Sequence, residues 1–168
     1  MIFNLNDTVL YSTHGVCKIS EIIKRQVNDK LIEYYVLKPI FDKKSTFYVP
    51  VNSKKATAKM RTTLSAEEIY DLLESLPDID TEWIENNNAR KERFSQIISN
   101  GTSEQLLRLI KTLYLQQQEQ NDNGKKLHIT DERFLKDAEK MLYGEFAYVL
   151  NMEHDQVLPM IVKYIETT

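Results

Sequence analysis

The sequence predicts an α+β protein of segregated modules, an N-terminal small antiparallel β-barrel followed by a C-terminal all-α domain of about four to five helices. Three observations predict it. Short alternating apolar runs, separated by turn formers, fill the first 64 residues; the apolar spacing becomes helical from Ser65; and the charge divides at the same place. Residues 1–64 carry eleven Lys or Arg against five Asp or Glu, a balance of +6. Residues 65–168 carry eleven against twenty, a balance of −9, giving the net −3 of the chain. The expected modules are therefore 1–64 and 65–168.

In the first module, residues 8–11, 15–23, 32–37 and 46–51 are β-branched or aromatic and mostly alternating, which predicts strands. Asn6-Asp7, Ser12-Thr13-His14-Gly15, Asn28-Asp29-Lys30 and Phe41-Asp42-Lys43-Lys44-Ser45 supply the turns. Four or five such strands with no helix between them bury an interior only by curling, hence a barrel. Its basic and aromatic strand surface, with Lys24 and Arg25 on one strand and Phe47 and Tyr48 on another, reads in two ways. The cations either blunt an exposed edge against aggregation or frame one that accepts a partner strand.

In the second module, Ser65-Ala66-Glu67-Glu68 is a capping box ahead of Ile69, Leu72, Leu73 and Leu76, and Pro77 stops that helix. Asp80 or Thr81 is placed to cap a long helix that carries Trp83 in its first turn, runs to about Ser99 and ends at Gly101. Thr102-Ser103-Glu104-Gln105 is a second capping box, followed by Leu106, Leu107, Ile110, Leu113 and Tyr114. Residues 121–126 form a loop, and Thr130 is expected to cap a helix containing Phe134, Leu135, Ala138, Met141, Leu142, Phe146 and Val149. A last short helix near residues 156–165 tolerates Pro159 only in its first turn.

Trp83 is the only tryptophan. If it stands in a helical turn, at roughly 100° per residue, Asn86, Asn87 and Arg90 fall within about 60° of it. A ring on so polar a face either packs beneath a neighbouring part of the fold or stays exposed beside amides and a guanidinium, an arrangement suited to a wedge against a base step. The acidic balance of the second module opposes phosphate, so a nucleic-acid contact there must be local and weak.

Catalytic patterns are thin. His14, His128 and His154 are scattered, and the four glycines form no phosphate loop. Glu67, Glu68, Asp131 and Glu132 sit at helix starts, where the helix dipole accounts for them. The lone Cys17 forms no internal disulfide or metal cluster, and no apolar run reaches the roughly 20 residues of a membrane span. A cytoplasmic binding protein without enzymatic activity, metal or cofactor is expected.

The opening Ile2-Phe3-Asn4-Leu5-Asn6-Asp7-Thr8-Val9-Leu10-Tyr11, the His14-Gly15 turn, Glu33-Tyr34-Tyr35-Val36-Leu37-Lys38, Val49-Pro50, Trp83 and Gly144-Glu145-Phe146-Ala147 stand in an informative order and spacing. Over nearly the whole chain this pattern resembles the CarD/CdnL-like bacterial transcription regulators, whose N-terminal module is shared with transcription-repair coupling factors. The resemblance implies a Tudor-like or SH3-like barrel that docks on the β subunit of RNA polymerase, with Arg25, Val27, Phe47 and Tyr48 as the contact residues. It also implies a helical domain that meets promoter DNA through Trp83, Asn86, Asn87, Arg90, Lys91 and Arg93. There the tryptophan wedges into the minor groove at the upstream edge of the melted region and slows bubble collapse. The protein would act as a monomer, weak on DNA alone, tethered by polymerase and so associated with the nucleoid.

Three departures stand out. Asn6 replaces a usual glycine, Ser12 replaces a frequent proline, and Glu85 and Asn86 occupy places where basic residues commonly follow the tryptophan. The second reading is an adaptor that keeps the polymerase dock but has no direct DNA contact.

Overall fold

The computed structural model describes residues 2–166, which divide into two compact units at Thr63 and Leu64. The first unit is a five-stranded antiparallel sheet: β1 (Thr8–Tyr11), β2 (Val16–Val27), β3 (Lys30–Pro39), β4 (Phe47–Pro50) and β5 (Met60–Thr62), in the order β4-β3-β2-β1-β5. One core draws on every strand, with Val9, Cys17, Ile19, Tyr35, Leu37, Val49 and Met60 joined by Phe3. The sheet therefore curls as expected, but β4 and β5 are not hydrogen-bonded to each other, so the barrel is open rather than closed. The fifth strand and a short helix α1 (Lys54–Thr57), capped by Ser53, occupy a stretch whose polar, lysine-rich composition carried no periodic signal.

Turn chemistry follows the sequence closely. Asn28 and Asp29 both take positive φ (49° and 65°) between the paired Val27 and Lys30, the two-residue hairpin whose twist matches that of its strands. Asn6 takes a φ of 70°, one that asparagine tolerates at little cost. Ser12 is less neutral: its φ of 48° lies outside the range a proline ring allows.

A β-bulge at Ser20 decides which face the distal part of β2 presents. Cys17 and Ile19 point to the core, yet after the bulge Ile22 does, opposite the buried Tyr35. Strict alternation from Ile19 would have sent Arg25 and Val27 inward; the extra residue turns both to the outer face.

The second unit comprises α2 (Ala66–Ser75), α3 (Asn87–Asn100), α4 (Ser103–Asp122), α5 (Ile129–Leu150) and α6 (Val157–Glu166). Both capping boxes form, Ser65 with Glu68 and Thr102 with Gln105. Pro77 lies in a single 3-10 turn after α2, and Pro159 lies in the first turn of α6. The α5 cap is His128, not Thr130, which falls inside the first turn. The hub is α5, whose Ala138, Leu142 and Phe146 are fully buried against Phe94 of α3, Leu106 and Leu107 of α4, and Ile161 of α6. Glu145, also fully buried, accepts hydrogen bonds from the Leu64 amide (2.8 Å) and the Ser103 hydroxyl (3.5 Å), fixing the approaches to α2 and α4 on the C-terminal part of α5.

Candidate functional site

The helix expected to carry Trp83 begins later. Asn86 is its cap, accepting from the Ala89 amide at 2.9 Å, and α3 starts at Asn87. Residues 79–85 form a non-helical strap, with Trp83 near its end. Acidic residues at 80, 82 and 85 suit a helix start in either arrangement, so local propensity does not choose. Tertiary polar ties accompany the non-helical course: the Glu82 amide and the Ile79 carbonyl are engaged by side chains of α4, and the Ile84 carbonyl by one of α3.

Those ties run the length of the strap. The buried Lys111 of α4 donates from Nζ to the carbonyls of Leu76 (2.8 Å), Pro77 (3.2 Å) and Ile79 (2.7 Å). A cation over carbonyls at a helix end is electrostatically favoured. Thr112 Oγ1 accepts from the Glu82 amide at 3.0 Å, and the Glu82 carboxylate accepts from Arg93 at 2.8 Å. Lys111→Met is expected to fill the space but take the Lys111 donor from the Pro77 and Ile79 carbonyls, the Leu76 carbonyl keeping the Ile79 amide (3.2 Å), and so to lower stability by about 1–3 kcal/mol in urea unfolding; an unchanged midpoint would show the ties to be dispensable.

Arg90 is the centre of the arrangement. Its guanidinium, 4% exposed as a residue, forks onto Asp131 with two bonds of 2.9 Å. It also donates to the Ile84 carbonyl (2.8 Å) and to Asn87 Oδ1 (2.9 Å). The same group lies 4.3 Å from the Trp83 ring centroid, a cation–π contact. The ring itself is half-buried, with part of its surface packed against the helical core. Trp83, Glu85, Asn87, Gln116, Gln120 and His128 line a polar cleft of about 330 Å³ beside it.

The six residues expected to meet DNA thus separate. Trp83 keeps an accessible portion, Asn86 caps α3, and Asn87 supports Arg90. Arg90 is inside, engaged by Asp131, and Arg93 is paired to Glu82 with both side chains about one-third exposed. Lys91 is exposed and lines a second polar cleft with Asn88, His128 and Thr130. Asp131, Lys111 and Thr112 went unnoticed as partners; they lie 30 or more residues from what they hold, and no periodicity reports a buried ion pair.

On the sheet, Arg25 and Tyr48 share the outer face, with the guanidinium carbon 4.5 Å from the Tyr48 ring centroid. Val27 follows Arg25 on that face and is exposed. Phe47 does not join them: neighbours on a strand point to opposite faces, and Phe47 packs toward the core with Tyr11 (5.4 Å) and His14 (4.1 Å between centroids). His14 is accordingly a stacking partner in this turn. β4 ends the sheet, leaving one of its backbone edges without a partner strand among the described residues. Burial pushes the Cys17 thiol up to about 12, which keeps it protonated and unreactive. No helix among the described residues is long and apolar enough to cross a membrane.

An open antiparallel sheet followed by a helical unit is a two-module organisation, and both modules match family models. Residues 3–63 match the CarD-like/TRCF RID domain, and residues 69–162 match the CarD C-terminal domain. The chain belongs to the CarD family. Its N-terminal module is Tudor-like, and its family domains imply RNA-polymerase-associated regulation of transcription, in a family of non-enzymatic regulators.

Proposed function

We propose that the sheet docks on the RNA polymerase β subunit through Arg25, Val27 and Tyr48 and the free edge of β4, while Trp83 meets promoter DNA at the upstream edge of the bubble and slows its collapse. The observation that carries this reading is the half-buried indole held on a strap by ties from α3 and α4, one of which also places a cation against the ring. Wedging requires a ring whose position is set beforehand, because ordering it on contact would oppose binding. Of the cations expected at DNA, Arg90 and Arg93 are paired and Lys91 is the exposed one, so affinity for free DNA is low. Tethering to polymerase offsets this by raising the local concentration to roughly the millimolar range.

The same charge accounting favours a second reading. With Arg90 and Arg93 turned to Asp131 and Glu82, and a balance of −9 over residues 65–168, the helical unit also suits an adaptor that recruits another protein without touching DNA. Promoter binding by polymerase, measured with and without the protein across a salt series, separates the two. Added DNA protection with a salt slope steeper by about one ion, for one phosphate contact, supports the wedge. No added protection and an unchanged slope support the adaptor.

A further inference from the structure

We propose that Asp131 is a positioning residue for Trp83, acting through Arg90; the functional consequence rests on the reading of Trp83 as the DNA contact. The helix dipole accounts for an acid in the first turn of α5, but not for one that is 2% exposed and carries both bonds of a guanidinium fork. Asp131 fixes the plane of Arg90. Arg90 then reaches the indole on one side and the Ile84 carbonyl, next to Trp83 in the chain, on the other. Backbone and ring of the strap are thereby referred to the start of α5, 48 positions away from Trp83 in sequence.

The geometry has a direction. A fork onto a carboxylate restricts the guanidinium plane, and the cation–π contact holds that group over the ring, so the two interactions together restrain the indole. Asn87, whose Oδ1 takes a further Arg90 hydrogen at 2.9 Å, adds a second restraint on the guanidinium. Glu132, the neighbouring acid, is different: it faces solvent and pairs with Lys136 at 3.4 Å on its own helix.

The test uses the full chain, in which Trp83 is the only indole. Asp131→Asn leaves Arg90 buried and uncompensated and risks unfolding, so the double variant Arg90→Met/Asp131→Leu, which replaces the pair with apolar groups, is made alongside it. In the folded double variant, acrylamide quenching of Trp83 is expected to rise about twofold as the ring loses its cationic cover. The open-complex lifetime should fall to that of Trp83→Ala, and adding the double substitution to Trp83→Ala should shorten it no further. Glu132→Gln should change neither quantity. Unchanged quenching in the folded double variant, or a lifetime loss that adds to that of Trp83→Ala, overturns the proposal. Raised quenching combined with a Trp83→Ala protein of normal lifetime supports the positioning role and overturns the DNA reading instead.

Discussion

Arg90→Ala is expected to destabilise the helical unit by about 3–5 kcal/mol, the range for removing one member of a buried ion pair. The loss exceeds that of an ordinary surface substitution because Asp131 stays behind as a buried carboxylate and the Ile84 carbonyl loses its donor. Followed by Trp83 emission, the urea midpoint of this unit should fall by on the order of 2 M at ordinary denaturant sensitivity. Arg90→Lys should lose less, since it keeps the charge but gives up the fork. The Arg93–Glu82 pair provides the contrast: about one-third exposed on both sides, it is worth at most about 1 kcal/mol. Equal losses for Arg90→Ala and Arg93→Ala would contradict the assignment of Arg90 to the interior.

Trp83→Ala is expected to leave polymerase affinity unchanged while shortening the open-complex lifetime. Stacking an aromatic ring on a base is worth about 1–3 kcal/mol, which at 1.4 kcal/mol per decade means several-fold to about a hundredfold in lifetime. Half-burial of the ring places the effect toward the lower end, because the portion packed on the helical core is not available to DNA. Phenylalanine at the same position should fall between. The two units have separate cores, so this substitution leaves the Arg25 and Tyr48 face as it was. A parallel loss of polymerase binding would assign Trp83 to the protein interface.

The contrast between the two halves of the site shows what a sequence carries. Strands, capping boxes and the Asn28-Asp29 turn were legible because each depends on residues close in the chain. The face presented by Arg25 was not legible, since a single extra residue at Ser20 reverses the alternation. The neighbourhood of Trp83 is the more instructive case. Helical geometry placed Arg90 beside the indole, and it is beside the indole, but no helix joins them: the strap bends back and Arg90 reaches it from α3. A basic residue next to an aromatic ring reads as a phosphate contact until the buried acid that neutralises it is known, and Asp131 lies 41 residues beyond Arg90. Lys111 escaped notice for the same reason, its three carbonyl partners being more than 30 residues upstream.

Contact between residue 83 and promoter DNA is tested most directly by replacing Trp83 with a photo-crosslinking phenylalanine analogue and irradiating the complete promoter complex. A wedge at the upstream fork predicts a crosslink to DNA confined to the first unpaired positions, and lost when Arg25→Glu undocks the protein from polymerase. Crosslinks to protein alone, with none to DNA in a complex whose polymerase is fully occupied, would contradict it.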